Sequence, residues 1–124
     1  MRVMRSKRAP SKGARRGGAP AATHVAIIGA GRGGTALMEI FATDPLVTIV
    51  GVAEINPKAP GVELARRLKI LVTRDYRELL AMERVDLIID VTGNAEVEQV
   101  LQDFHRMGVT VIGGASAKFM WQLI

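Results

Sequence analysis

The sequence predicts a doubly wound α/β domain: a five-stranded, mainly parallel sheet with helices on both faces. Three observations carry that reading. The apolar run His24-Val25-Ala26-Ile27-Ile28 passes without a gap into Gly29-Ala30-Gly31-Arg32-Gly33-Gly34 and then into the helical pattern of residues 35–41. Short β-branched runs alternate with amphipathic segments along the rest of the chain, as βαβ units require. An acid, Glu54, closes the second strand 20 residues after Gly34.

The elements follow in order. A strand is expected over 24–28 and a helix over 33–42, with Ala36, Leu37, Ile40 and Phe41 as its inward face. Thr43-Asp44-Pro45 ends that helix, since proline cannot continue it. Residues 46–53, nearly all apolar, suit a strand buried on both faces. Pro60 opens a second helix whose inward face reads Val62, Leu64, Ala65 and Leu68, and residues 69–72 form a short third strand. Asp75 and Glu78 have the spacing of a capping box and place a helix over 76–82, with both carboxylates committed to backbone donors. Residues 85–91 read as the fourth strand, with Asp86 and Asp90 its only acids; Asp90 is expected to order adjacent loop amides. Val97, Val100, Leu101 and Phe104 make an amphipathic helix that Gly108 closes, with His105 exposed on it, and a fifth strand runs over 109–112. Gly113-Gly114-Ala115-Ser116 then turns into a last helix capped by Ser116.

The glycine pattern between strand and helix is chemically the most informative stretch. Gly29 permits a tight exit from the strand, Gly31 lets the backbone approach a pyrophosphate, and Gly34 allows close helix-to-strand packing. A helix begins there, and its unpaired N–H groups stabilise an anion without a basic side chain. Arg32 and Gly33 complete the loop. Glu54 stands where an acid accepts hydrogen bonds from adenosine ribose hydroxyls and repels a 2′-phosphate, so NAD is favoured over NADP; Asn56 is grouped with it, and Lys58 is the nearest cation. Thr92, Gly93 and Asn94 follow the fourth strand, where ligands of open α/β sheets bind, and are expected beside the nicotinamide half. No residue is assigned to catalysis or to a metal. Gly29, Gly31 and Gly33 also spell the turn of S-adenosylmethionine-dependent methyltransferases, for which Glu54 would serve the ribose equally well.

Composition bounds the rest. The 124 residues suit one domain, short for a complete two-domain enzyme. Cysteine is absent, which excludes disulfides and thiolate chemistry and fits a cytoplasmic setting. No run nears the roughly 18 apolar residues of a membrane span. The net charge of +5 is uneven, because residues 1–23 hold seven basic residues and no acid, while the remainder carries ten basic and twelve acidic residues. That basic tail, rich in Gly, Ala and Pro, is expected to be disordered, leaving 24–124 as the folded domain. Nucleic acid is an expected partner only through the tail. Phe119, Trp121 and Ile124 in the last helix need cover, which points to a homo-oligomer or a partner protein.

The stretches 25–34, 50–57, 75–80 and 86–94 together resemble the NAD(P)-binding Rossmann domain of the glucose-fructose oxidoreductase and inositol dehydrogenase family, also found in homoserine and aspartate dehydrogenases. The likeness covers about residues 24–115. It implies that Gly29, Gly31 and Gly34 line the pyrophosphate, Glu54 the adenosine ribose, and Thr92, Gly93 and Asn94 the nicotinamide ribose. Those dehydrogenases carry a second, substrate-binding domain, and their Glu-Lys-Pro after strand five is here Gly113-Gly114-Ala115-Ser116-Ala117-Lys118, so Lys118 is not equated with a catalytic lysine. Similar short domains are fused to bacterial sensor proteins. The leading expectation is a stand-alone NAD(H)-binding domain, either a sensory or regulatory module or a subunit of a larger oxidoreductase. The alternatives are a dehydrogenase completed by another chain and an S-adenosylmethionine-binding protein.

Overall fold

A computed structural model describes residues 22–106, 108–114 and 122. Five strands, β1 (Thr23–Ile28), β2 (Val47–Ala53), β3 (Val72–Thr73), β4 (Leu87–Asp90) and β5 (Thr110–Ile112), form one sheet in the order β3-β2-β1-β4-β5. Every pairing in it is parallel. Four helices connect them: α1 (Arg32–Phe41), α2 (Pro60–Arg67), α3 (Tyr76–Leu80) and α4 (Ala95–Arg106). The strand order reverses at β1, between β2 and β4, and such a reversal opens a crevice at the carboxyl ends of the strands. Residues 1–21 of the tail lie outside the described residues, as do Ser116, Phe119, Trp121 and Ile124 of the expected last helix and the side chain of His105; Thr23, expected in the tail, opens β1 instead.

The alternation of β1 splits the core in two. Val25 and Ile27 face Leu37, Met38 and Phe41 of α1 and Val62 and Ala65 of α2. Ala26 and Ile28 face the other way, onto Leu79 of α3 and Val97 and Leu101 of α4. At the far end of the sheet from the crevice, Asp86 accepts the His24 N–H at 2.8 Å and its own N–H returns to the His24 carbonyl at 2.8 Å. The His24 ring lies 3.6 Å from the same carboxylate.

Several expectations need correction. Met38, not Ile40, faces the core, and Ile40 is exposed. Gly34 must meet β1, and the residues three, four and seven places after it (Leu37, Met38, Phe41) share its face. Leu68 is likewise exposed, because α2 ends at Arg67. The helix closes in a Schellman motif: the Ile70 N–H reaches the Ala65 carbonyl at 2.8 Å and the Lys69 N–H the Arg66 carbonyl at 3.0 Å. Lys69 takes the left-handed position of that motif, at φ 60°. Residues 69–71 are therefore consumed by the turn, and β3 shrinks to two residues. With β3 so short, it pairs only with Val52 and Ala53, and the first half of β2 is partly exposed instead of buried. Strand β4 is shorter than expected because the carboxylates of Asp86 and Asp90, at its two ends, take up backbone N–H groups. Asp75 caps α3 through the Arg77 N–H at 3.0 Å, but the capping box does not close: Glu78 accepts from the Thr73 hydroxyl, which itself accepts the Asp75 N–H.

Lysine pays a steric cost at φ 60° that glycine does not. Lys69→Gly is expected to stabilise the domain by about 1 kcal/mol, read as a higher urea midpoint at unchanged slope; a lower midpoint contradicts the assigned helix ending.

Candidate cofactor site

The site is built where β1 ends. Ile28 is level with Ala53 of β2 and Asp90 of β4, so the three loops that follow these strands start side by side. Gly29 sits at their centre with φ 108°, a conformation costly for any residue with a side chain. Its N–H bonds the Ala53 carbonyl at 2.8 Å, and a Cβ there would stand 3.0 Å from Val91 and 3.3 Å from Thr92. The loop of 29–34, the stretch 54–56 and the stretch 92–94 are thus brought together as the sequence spacing anticipated.

The other glycines of the loop differ in kind. A Cβ on Gly34 would lie 1.9 Å from the Gly29 carbonyl oxygen, so close approach of α1 to β1 forbids a side chain. A Cβ on Gly31 would meet nothing within 4 Å; that space lies over the N-terminus of α1, where the N–H groups of Arg32, Gly33 and Gly34 have no intrahelical acceptor. Arg32 is exposed, as its position at the first turn allows.

Glu54 is half-buried, and both its carboxylate oxygens accept backbone N–H groups: Oε1 from Ala30 at 2.7 Å and Oε2 from Asn56 at 3.0 Å. Asn56 turns its own side chain back to the Lys58 N–H at 2.9 Å. On the β4 side, Asp90 is 2% exposed and its Oδ1 accepts both the N–H of Thr92, at 2.9 Å, and its hydroxyl, at 2.6 Å. The expected ordering of loop amides by Asp90 is thus present, with a hydroxyl in addition. The Thr92 oxygen accepts the Asn94 N–H at 3.1 Å, and the Asn94 side chain caps α4 through the N–H groups of Glu96 and Val97, at 2.8 and 3.1 Å.

Sequence reasoning missed Gly61. It opens α2 against the glycine loop, donating its N–H to the Ala30 carbonyl at 2.7 Å, and a Cβ there would lie 2.6 Å from that oxygen and 2.8 Å from Met38. The available signal was a glycine directly after a helix-opening proline, a place where glycine has no capping advantage.

A parallel sheet reversing at β1, a glycine loop opening α1 and an acid closing β2 define a dinucleotide-binding Rossmann domain. The comparisons agree. A family model described as "Oxidoreductase family, NAD-binding Rossmann fold" matches residues 23–113, and the chain belongs to that family, whose domain binds NAD. GenD2 from gentamicin A biosynthesis, solved in complex with NAD, is 27% identical with a TM-score of 0.65, covering 75% of this chain and 26% of that one. A myo-inositol dehydrogenase from Corynebacterium glutamicum ATCC 13032 shares the fold at 20% identity and a TM-score of 0.62, over 74% of this chain and 27% of its own. Acetaldehyde dehydrogenase 2 from Mycolicibacterium vanbaalenii is 37% identical over 73 residues, 55% of this chain and 23% of that protein. The chain thus spans about a quarter of the length of these relatives. Among the described residues, no helix is long and apolar enough to cross a membrane.

Gly34 and Gly31 separate folding from binding. Gly34→Ala is expected to cost about 3 kcal/mol of stability, because backbone must move, whereas Gly31→Ala costs less than about 1 kcal/mol. Equal losses in chemical denaturation contradict this division of roles.

Proposed function

We propose that this chain is an NAD(H)-binding module that contributes cofactor occupancy to a larger oxidoreductase or sensory assembly. The observation that carries the reading is the open space over Gly31, beside unpaired helix N–H groups and a carboxylate already fixed at the end of β2. In this reading the pyrophosphate rests on the loop of Gly29, Gly31, Arg32, Gly33 and Gly34. A carboxylate offers about four acceptor positions. Two on Glu54 hold Ala30 and Asn56, which leaves two for the pair of ribose hydroxyls. Thr92, Gly93 and Asn94 border the nicotinamide side: the Thr92 hydroxyl is donated to Asp90 and the Asn94 side-chain carbonyl accepts from the start of α4, which leaves backbone groups and the Asn94 amide nitrogen to face a ligand.

A second reading, a dehydrogenase whose substrate site another domain or chain completes, is favoured by the matched dehydrogenases, which are about four times as long. Bound NAD would there accept a hydride, and this chain's residues would hold and orient it. In either reading the folded unit is the expected 24–124 extended by Thr23, which pairs with Val47 at the start of β1, and Phe119, Trp121 and Ile124 would serve contact with a second copy or a partner.

Calorimetric titration of the full chain tests the module. NAD is expected to bind saturably at one site, with NADP at least about tenfold weaker because its 2′-phosphate meets Glu54. Tighter binding of S-adenosylmethionine, or no binding of NAD, overturns the reading. Reduction of NAD to NADH by hydroxy-acid, amino-acid or sugar substrates in the presence of a partner decides for the second.

A further inference from the structure

We infer that Glu54 is a positioning residue for the phosphate loop as well as a ribose ligand; this rests on the NAD-binding reading above. Ala30 lies between Gly29 and Gly31 and is 0% exposed. Both of its backbone polar groups are held from outside the loop: the N–H by Glu54 Oε1 at 2.7 Å, the carbonyl by the Gly61 N–H at 2.7 Å. Glu54 is itself fixed, its N–H bonded to the Thr73 carbonyl at 2.9 Å on one side and its Oε2 to Asn56 on the other. The loop is thus tied to the ends of β2 and α2 before any ligand arrives. With Ala30 held, the following N–H groups of the α1 N-terminus keep the orientation that an anion needs, and the ligand does not have to order them.

A carboxylate near a diphosphate is repulsive. If Glu54 served only the ribose, its removal would leave a ligand without ribose hydroxyls unaffected or bound more tightly. The tie predicts the reverse. The probe is ADP against 2′,3′-dideoxy-ADP, titrated into the full chain and its Glu54→Ala and Glu54→Gln variants. Glu54→Ala is expected to weaken dideoxy-ADP about tenfold. Glu54→Gln, whose amide carbonyl still accepts from Ala30, is expected to recover part of that loss. Dideoxy-ADP binding to Glu54→Ala within twofold of wild type, or tighter, overturns the inference.

A second readout needs no ligand. The Ala30 amide is expected to exchange with solvent at least about tenfold faster in Glu54→Ala than in wild type, while core amides of β1 such as Ile27 keep their rates. Unchanged Ala30 exchange overturns the tie even if ADP does not bind, and absence of NAD and ADP binding by the wild-type chain overturns only the reading beneath it. Faster exchange throughout β1 would mean general destabilisation and also counts against a specific tie.

Discussion

The structure depends on one close approach, that of α1 to the end of β1. The space between Gly34 and the Gly29 carbonyl cannot hold a methyl group, and this contact sets where the helix starts, which face it buries and which N–H groups it leaves uncapped. Burial of Leu37, Met38 and Phe41 against Val25 and Ile27 follows from that phase. So does the position of the open N-terminus over the crevice where the strand order reverses. Packing and binding are therefore consequences of the same pair of glycines, Gly29 and Gly34, although Gly31, one of the two glycines between them, contributes nothing to packing.

The fold was legible where periodicity and punctuation agreed. The strand-glycine-helix succession at β1 and α1, Pro60 at the start of α2 and the inward stripe of α4 all carry local signals that tertiary contacts reinforce. Legibility failed where backbone conformation overrode side-chain pattern. Lys69 gives no glycine-like signal, yet it adopts φ 60° to close α2, and that turn removes most of the third strand. The apolar run of β2 reads as buried on both faces, but burial of a strand depends on its neighbours, and β3 covers only its last two residues. Ile40 and Met38 are both apolar, and the demand that Gly34 face the strand decides between them.

The candidate site shows a related division. Residue types and spacing were enough to gather the loop of 29–34, Glu54 and the stretch 92–94, and the structure brings these together around Gly29. What spacing cannot convey is where hydrogen-bonding capacity is already used. Glu54, Asp90, Thr92 and Asn94 all accept N–H groups of nearby backbone, so each shapes a loop in addition to any contact with a ligand. Gly61 escaped notice because its role is a contact across 31 residues of sequence with Ala30, which no local pattern encodes.

The central claim is that NAD binds in the crevice above β1 through backbone groups of the glycine loop. Amide chemical-shift mapping of the full chain during titration with NAD tests it most directly. The account predicts the largest shifts at residues 30–35, 54–56 and 92–94, with β1 and the core of α4 little changed. Shifts confined to other surfaces, or a spectrum unaltered at saturating NAD, would contradict it.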